Sequence, residues 1–213
     1  NFSVPTGNFG DVYAGYLAKK MGLPINKLVI ATNKNDILKR VFDTGIYKPS
    51  KVRHTISPSM DIQIASNFER LVFDIYSCDS DKTKKLMDDL NNFGEFHIQK
   101  ENLKKIHQNF YAESLSDEET KSVIKNIYKN EKILIDPHTA IGIGVLEKIS
   151  LKEKIIVLGT AHSAKFSEVL IQETGELSEL PGNTKKILNI KEKFDKLPKD
   201  INKVKEYILK NIN

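Results

Sequence analysis

The sequence predicts an α/β fold built on a buried parallel sheet. Two apolar runs have the length of strands: KLVIAT at residues 27–32 and KIIVL at residues 154–158. Continuous apolar runs of this kind are typical of parallel strands that are covered on both faces. The first run leads through a polar stretch, residues 33–36, into apolar residues at helical spacing, Ile37, Leu38, Val41 and Phe42. Strand and helix therefore alternate, as they do in βαβ units.

The first third of the chain, residues 1–75, is predicted as an α/β domain. A short apolar stretch precedes Pro5, and Gly7 and Gly10 then indicate a tight turn. A helix is expected from Asp11 to a glycine stop at Gly22. The buried strand at residues 27–32 and the helix after Asp36 complete the pattern.

The middle of the chain, residues 76–150, is predicted as a helical insertion or subdomain because strand patterns are scarce there. Ser116 and Glu119 have the spacing of a capping box, in which each side chain bonds the other residue's backbone N–H. Residues 151–213 are predicted to return one strand to the α/β domain and to end in helices, the last with Val204, Ile208 and Leu209 on one face.

Composition excludes several classes of protein. The 213 residues are 39% hydrophobic, too apolar for a disordered chain, and no run approaches the roughly 18 apolar residues that a membrane helix needs. The formal charge of +5 is spread without a dense basic stripe, so no nucleic-acid partner is expected. The single cysteine, Cys78, predicts a cytoplasmic location. The start at Asn1, directly before an apolar run, suggests a piece of a longer polypeptide.

The clearest candidate site is a glycine-containing turn, PTGNFGD at residues 5–11. Two glycines three residues apart, between a strand and a helix, let backbone N–H groups turn toward one anion. The helix that follows adds the positive end of its dipole, so the turn can hold a phosphate group. The alternative is a plain tight turn, since the loop lacks the lysine of a Walker A loop and the glycine spacing of a dinucleotide site.

Two further turns carry polar side chains. The segment SPSMDI at residues 57–62 suggests a helix start with Ser57 as cap, and SNFER follows at residues 66–70. The segment GTAHSAKF at residues 159–166 follows the last buried strand, at the sheet edge where open α/β folds bind ligands. Simple structural roles, a capped helix and a hydrogen-bonded histidine, remain open for both turns. No metal site is predicted.

These turns, together with DPHTA at residues 136–140, occur in an order that closely resembles the threonine synthase family, in its long bacterial and fungal form. The resemblance runs from residue 1 to about residue 175. It implies the fold of tryptophan-synthase-β-like (fold type II) pyridoxal-phosphate enzymes, this chain being the C-terminal portion of the large parallel-sheet domain. It also implies conversion of O-phosphohomoserine and water into threonine and phosphate, with pyridoxal 5'-phosphate as cofactor.

The resemblance assigns roles to individual residues. Those that would bind the cofactor are Gly7, Asn8, Phe9, Gly10 and Asp11 at its phosphate, and Thr160 at its ring nitrogen. Residues expected near the substrate are Asn33, Asn35, Ser57, Arg70 and His138, although a helix start, a surface salt bridge or a structural turn would account for them equally well.

Two departures from the family pattern are visible. Ser163 stands where the family has proline, which leaves the turn beside Thr160 less rigid. The family's Schiff-base lysine lies in a Phe-Lys-Asp motif before the phosphate loop, so it is expected upstream of Asn1. Lys165 is not that lysine. The chain alone is therefore expected to be inactive without the N-terminal half.

Two other functions are compatible with the same residues. One is a phospholyase that acts on O-phosphohomoserine or a similar phosphorylated amino alcohol and yields 2-oxobutyrate rather than threonine. The other is a non-catalytic module that binds a phosphate-bearing ligand or a protein partner.

Overall fold

The computed structural model describes residues 1–151, 153–182, 184–186 and 190–212. The strands are β1 (Phe2–Pro5), β2 (Leu28–Thr32), β3 (Ile46–Tyr47), β4 (Phe96–His97), β5 (Phe110–Ser114) and β6 (Ile156–Val157). The helices are α1 (Gly10–Lys20), α2 (Ile37–Thr44), α3 (Phe68–Ile75), α4 (Ser80–Phe93), α5 (Lys100–Asn109), α6 (Asp117–Glu131), α7 (Pro137–Gly144), α8 (Ser167–Thr174) and α9 (Ile201–Asn211). Two compact units result, Asn1–Ser178 and Glu179–Asn213.

The first unit is organised around a four-stranded sheet in the order β5-β2-β1-β6. All three pairings are parallel, and β1 aligns Phe2 with Leu28 of β2 and with Ile156 of β6. Every residue of β2 is buried, as its continuous apolar run predicts. The predicted α/β fold with a parallel sheet is confirmed.

The main core lies under α1, α2 and α3 and is rich in aromatic side chains. Phe9, Phe68 and Phe110 meet at its centre, and Tyr47 stacks between Phe68 and Phe96 with ring centroids 5.4 Å and 4.8 Å apart. The Tyr47 hydroxyl accepts a hydrogen bond from the Ala65 backbone, and burial raises the pKa of this phenol. These contacts join the sheet to the segment that follows β3.

The middle of the chain differs from the helical insertion predicted for residues 76–150. Strand β5 lies within that range and pairs along its whole length with β2, so the segment contributes to the same sheet. The sequence of β5, FYAES, has one buried apolar side chain and a glutamate, and it follows α5 without an intervening glycine or proline. Pairing with β2 rather than local preference makes it a strand.

Of two helix starts predicted from the sequence, at Ser116 and at Ser57, the structure confirms only the first. The capping box at α6 is confirmed, with the Glu119 backbone N–H donating to Ser116 Oγ at 3.2 Å and the Ser116 N–H donating to the Glu119 carboxylate at 2.7 Å. The helix predicted to start at Ser57 is instead one 3-10 turn, Pro58–Met60, and Ser57 makes no capping bond. The Ser57 hydroxyl instead accepts a hydrogen bond from the Asn33 amide, as part of a polar network described below.

The second unit contains α9, whose N-terminus is capped by Asp200. The predicted terminal helix is confirmed. In the described part of the chain, no helix has both the length and the apolar character required to cross a membrane.

Candidate functional site

The candidate site residues lie mainly at one edge of the parallel sheet. The turns that follow β1, β2 and β6 begin at the carboxyl ends of neighbouring parallel strands. Ligands of open α/β sheets bind at this edge. The predicted residues Gly7, Asn33 and Thr160 each lie in one of these three turns.

The turn after β1 is held by a buried side chain. Phe9 adopts the left-handed conformation, with φ at 65°, and caps the N-terminus of α1 through its backbone. Its ring is fully buried against Phe68, with centroids 5.3 Å apart in an edge-to-face arrangement. Burial of the ring offsets the roughly 1–2 kcal/mol that a left-handed backbone costs a residue with a Cβ. The sequence predicts Phe9 as part of an anion cradle, and its side chain also fixes the turn.

Gly7 lies directly under the segment at residues 57–62. A Cβ at this position would lie 2.9 Å from the Ser59 carbonyl oxygen and 3.1 Å from Met60 Cα. Glycine is required here because another backbone approaches, and not because of a positive φ. The 3-10 turn Pro58–Met60 therefore forms one wall of the predicted phosphate loop.

Asn8 connects the loop to the start of α3. Its side-chain oxygen accepts hydrogen bonds from the backbone N–H and hydroxyl of Ser66, at 2.6 Å and 2.9 Å. Its backbone carbonyl accepts from the Asn67 side chain at 3.0 Å. The sequence motif SNFER at residues 66–70 is thus brought beside the loop. Asp11 and Gly10, also predicted cofactor residues, are exposed in the first turn of α1.

The structure brings together three predicted substrate residues, Asn33, Asn35 and Ser57, all of them buried. The Asn33 amide donates to Ser57 Oγ at 3.0 Å and to the Asp61 carboxylate at 2.9 Å. The Asn35 amide donates to the same carboxylate at 3.0 Å and to the Arg53 carbonyl at 2.8 Å. These groups already bond one another, so the geometry favours a role in holding the loops, and direct substrate contact stays a prediction.

Arg70 lies apart from this network. It is exposed on α3 and lines a cleft of about 700 Å³ together with Tyr13, Ser66 and Asn67. Because Ser66 and Asn67 also hold Asn8, the cleft adjoins the predicted phosphate loop. The guanidinium makes no hydrogen bond or ion pair with any residue that the structure describes, so it is available to an anionic group.

His138 is buried at the N-terminus of α7. Its Nδ1 lies 2.9 Å from the carboxylate of Asp136, which caps the helix by accepting from the His138 backbone N–H at 2.8 Å. Burial acts to raise the pKa of Asp136, but bonds from His138 and Thr139 outweigh it and hold that pKa below its usual value. Nε2 of His138 is buried and has no hydrogen-bond partner among the described residues. Asp136 lies in the DPHTA motif, but the sequence assigns it no role, and its bonds to His138 and Thr139 emerge only in the structure.

Thr160 is exposed just beyond β6. A Cβ added to the preceding residue, Gly159, would lie nearest to Oγ1 of Thr139, at 3.8 Å, so the start of α7 borders this turn. At the other end of this turn, the ring of Phe166 packs beside that of His138, with ring centroids 5.0 Å apart. The hydroxyl of Ser163, which stands in place of the expected proline, lies 2.6 Å from the hydroxyl of Ser178.

Within the described ranges, no cluster of three or more His, Cys, Asp or Glu side chains could hold a metal.

Comparison with known proteins shows which proteins this architecture resembles. A family model described as the C-terminal region of threonine synthase matches residues 139–208. The chain is 37% identical over its whole length to a threonine synthase from Pseudomonas aeruginosa, of which it covers 46%. The crystal structure of a threonine synthase from Brucella melitensis, described as bound to PLP, superposes with a TM-score of 0.91 at 44% identity.

The chain matches the C-terminal half of threonine synthases. The Brucella alignment covers 97% of this chain and 45% of that one. A threonine synthase from Saccharomyces cerevisiae is 40% identical over 91% of this chain and 43% of its own length. The chain therefore spans about half the length of these threonine synthases and corresponds to their C-terminal half. The crystal structure from Brucella melitensis confirms the predicted fold.

Proposed function

We propose that this chain is the C-terminal half of an enzyme that converts O-phosphohomoserine and water into threonine and phosphate with pyridoxal 5'-phosphate as cofactor. One observation carries the proposal: the turns that resemble the threonine synthase family meet at the carboxyl edge of one parallel sheet. The identity of 37–44% to threonine synthases over nearly the whole chain supports it.

The residues present fit the cofactor. Gly7 leaves the loop without a side chain where the Ser59 backbone approaches, and α1 begins at Gly10, so its first backbone N–H groups are free of intrahelical bonds. Such a helix start with glycines binds a phosphate group. The hydroxyl of Thr160 would face the ring nitrogen of the cofactor as a neutral partner. When bound, the cofactor supplies an electron sink for elimination and replacement at the substrate.

The residues of this chain would bind and orient rather than transfer protons. The backbone of residues 7–10 would hold the cofactor phosphate, and Phe9 would keep that backbone fixed through its buried ring. Arg70, with its cleft beside Ser66, would pair with an acidic group of the substrate, since a guanidinium binds carboxylates and phosphates in a bidentate manner.

The 213 residues alone are proposed to be inactive. The family resemblance leads us to expect the cofactor lysine in a Phe-Lys-Asp motif, and these 213 residues contain no such triplet. Lys165 lies near the site in sequence, but it is exposed in the turn after His162. A cofactor-protein adduct that is lost on Lys165→Ala would contradict this assignment.

The function is tested by assaying the full-length protein that contains this sequence with O-phosphohomoserine and pyridoxal phosphate. Threonine and phosphate in equal amounts are expected. Formation of 2-oxobutyrate without threonine would establish a phospholyase instead, and absence of turnover with retained binding of phosphate-bearing ligands would favour a non-catalytic module. Thr160→Ala should leave cofactor binding measurable and lower kcat, because the ring-nitrogen contact is removed while the phosphate contacts stay.

A further inference from the structure

The carboxylate of Asp61 is the centre of the polar network beside the phosphate loop. Its Oδ1 accepts from Thr55 Oγ1 at 2.7 Å, from Asn33 Nδ2 at 2.9 Å and from Asn35 Nδ2 at 3.0 Å. Its Oδ2 accepts from the Thr55 backbone N–H at 3.0 Å. The proposed reaction gives Asp61 no task, and sequence spacing suggests only a carboxylate in the first turn of a helix.

These bonds connect two segments that are distant in sequence. Asn33 and Asn35 follow β2, whereas Thr55 and Asp61 lie on the long connection between β3 and α3. Asp61 also closes the 3-10 turn Pro58–Met60, because its backbone N–H donates to the Pro58 carbonyl at 3.1 Å. The carboxylate therefore fixes this turn to the carboxyl end of a central strand.

The 3-10 turn Pro58–Met60 also packs closely against the phosphate loop. A Cβ added to Gly7 would lie 2.9 Å from the Ser59 carbonyl oxygen and 3.1 Å from Met60 Cα, closer than an ordinary van der Waals contact. Any shift of the turn would change the space in which residues 7–10 can orient their N–H groups. A line of contacts thus runs from Asp61 through Ser59 to Gly7.

We propose that Asp61 is a positioning residue for the phosphate loop. It holds the 58–60 turn against Gly7 and thereby keeps the loop in the geometry that binds a phosphate group, without contacting that group. The proposal rests on the proposed function, since it takes the phosphate to be that of pyridoxal phosphate. Every one of these donors to Asp61 is neutral, and a carboxylate accepts such bonds more strongly than an amide oxygen does.

Asp61→Asn is the first variant. An asparagine offers one acceptor oxygen and turns an NH2 group toward donors, so at least one present bond is lost. Thr55→Val is the second variant: it removes the hydroxyl that donates to Asp61, together with the bonds of that hydroxyl to Asn33 and Ser57, and keeps the backbone bond to Asp61. Asp43→Asn is the matched control, an exposed aspartate on α2 that pairs with Lys39.

The experiment compares the binding of pyridoxal phosphate and of pyridoxal, which lacks the phosphate, to the full-length protein by fluorescence titration. In Asp61→Asn, the Kd for pyridoxal phosphate should rise about tenfold, because a displaced loop would lose the equivalent of one N–H bond to the charged phosphate. The Kd for pyridoxal should stay unchanged. Thr55→Val should shift the Kd for pyridoxal phosphate in the same direction, and Asp43→Asn should shift neither Kd.

Three results would overturn the proposal. Equal weakening of both ligands would show that Asp61 supports the fold in general, and unchanged binding in folded Asp61→Asn and Thr55→Val would remove any role. If Asp61→Asn does not fold, Thr55→Val decides between these outcomes. If the unmodified protein binds pyridoxal as tightly as pyridoxal phosphate, the proposed phosphate site itself is wrong. The proposed role of Asp61 is then wrong as well.

Discussion

The ring of Phe9, a residue of the predicted phosphate loop, packs edge-to-face on the ring of Phe68 at the start of α3, with centroids 5.3 Å apart. The side chain of Phe9 therefore belongs both to the predicted phosphate loop and to the hydrophobic core. Phe9→Ala should lower the free energy of unfolding by about 3–5 kcal/mol, because it opens a cavity and leaves the left-handed backbone in place. Phe93→Ala is the control: this phenylalanine is 77% exposed, and its loss should cost no more than about 0.5 kcal/mol.

Denaturant titration of both variants measures this difference. A loss below about 1 kcal/mol for Phe9→Ala would mean that the ring does not anchor the turn, since a buried phenylalanine normally contributes several times as much.

Gly7→Ala should destabilise the protein by about 1–3 kcal/mol, since the added methyl group meets the Ser59 carbonyl and the backbone must shift. Gly182→Ala is the control, because a Cβ at that position meets nothing within 4 Å. Thermal unfolding of the two variants should separate them clearly. Equal stabilities would show that the 58–60 turn yields easily.

Asp136→Asn should cost about 1–3 kcal/mol at neutral pH, because the cap of α7 and a buried charged hydrogen bond are both weakened. The pKa of Asp136 lies below its ordinary value of 3.8 in the folded protein. Its contribution is therefore complete above about pH 4 and is lost as the pH falls through the folded pKa. The difference in unfolding free energy between the original protein and the variant should shrink below about pH 4 and stay constant above it. A difference that does not change with acidification would contradict this assignment.

His138 should carry its proton on Nδ1 when neutral, because that nitrogen faces the Asp136 carboxylate at 2.9 Å. Nitrogen-15 NMR of the imidazole distinguishes a protonated from an unprotonated ring nitrogen, and Nε2 should be the unprotonated one. Asp136→Asn should weaken this preference. A neutral ring with the proton on Nε2 would contradict the hydrogen bond described above.

Ser116→Ala should cost about 1 kcal/mol, because it removes one half of the capping box of α6. Ser122→Ala on the same helix is the matched control, since its hydroxyl only donates back to the Glu118 carbonyl on an exposed face. Its effect should stay within about 0.5 kcal/mol. Equal losses in the two variants would show that the box does not stabilise this helix end.

The sequence predicts those features of the fold that depend on neighbouring residues. Continuous apolar runs identify β2 and β6, and the spacing of Ser116 and Glu119 identifies the start of α6. The prediction that β6 is buried is wrong: it is only Ile156–Val157, at the edge of the sheet, and Ile156 is 55% exposed. Strand β5 could not be found in this way, because its residues become a strand only through pairing with β2. The sheet order likewise depends on pairings between residues that lie far apart in the chain.

In the candidate site, too, features that depend on neighbouring residues can be predicted from the sequence, and features that depend on distant residues cannot. The glycine turn at residues 5–11 is visible in the sequence, because backbone conformation limits which residues can occupy it. The network around Asp61 is not visible, since its donors lie up to 28 residues away and their side chains could equally bond water. The family resemblance predicts Asn33, Asn35 and Ser57 near the substrate, but the bonds that connect these side chains through Asp61 emerge only in the structure.

The pairing of β1 with β6 has a consequence for synthesis of the chain. Phe2 aligns with Ile156, so the two partners of this edge are separated by 154 residues (156 − 2). A ribosome adds about 5–20 residues per second, and β1 must therefore wait on the order of ten seconds for β6 to emerge. During that interval β1 can pair with β2, but β6, its partner on the other edge, has not yet been made, and an unpaired strand edge can pair with a neighbouring chain. Slow translation at high expression should consequently favour aggregation, and chaperone binding near β1 should reduce it.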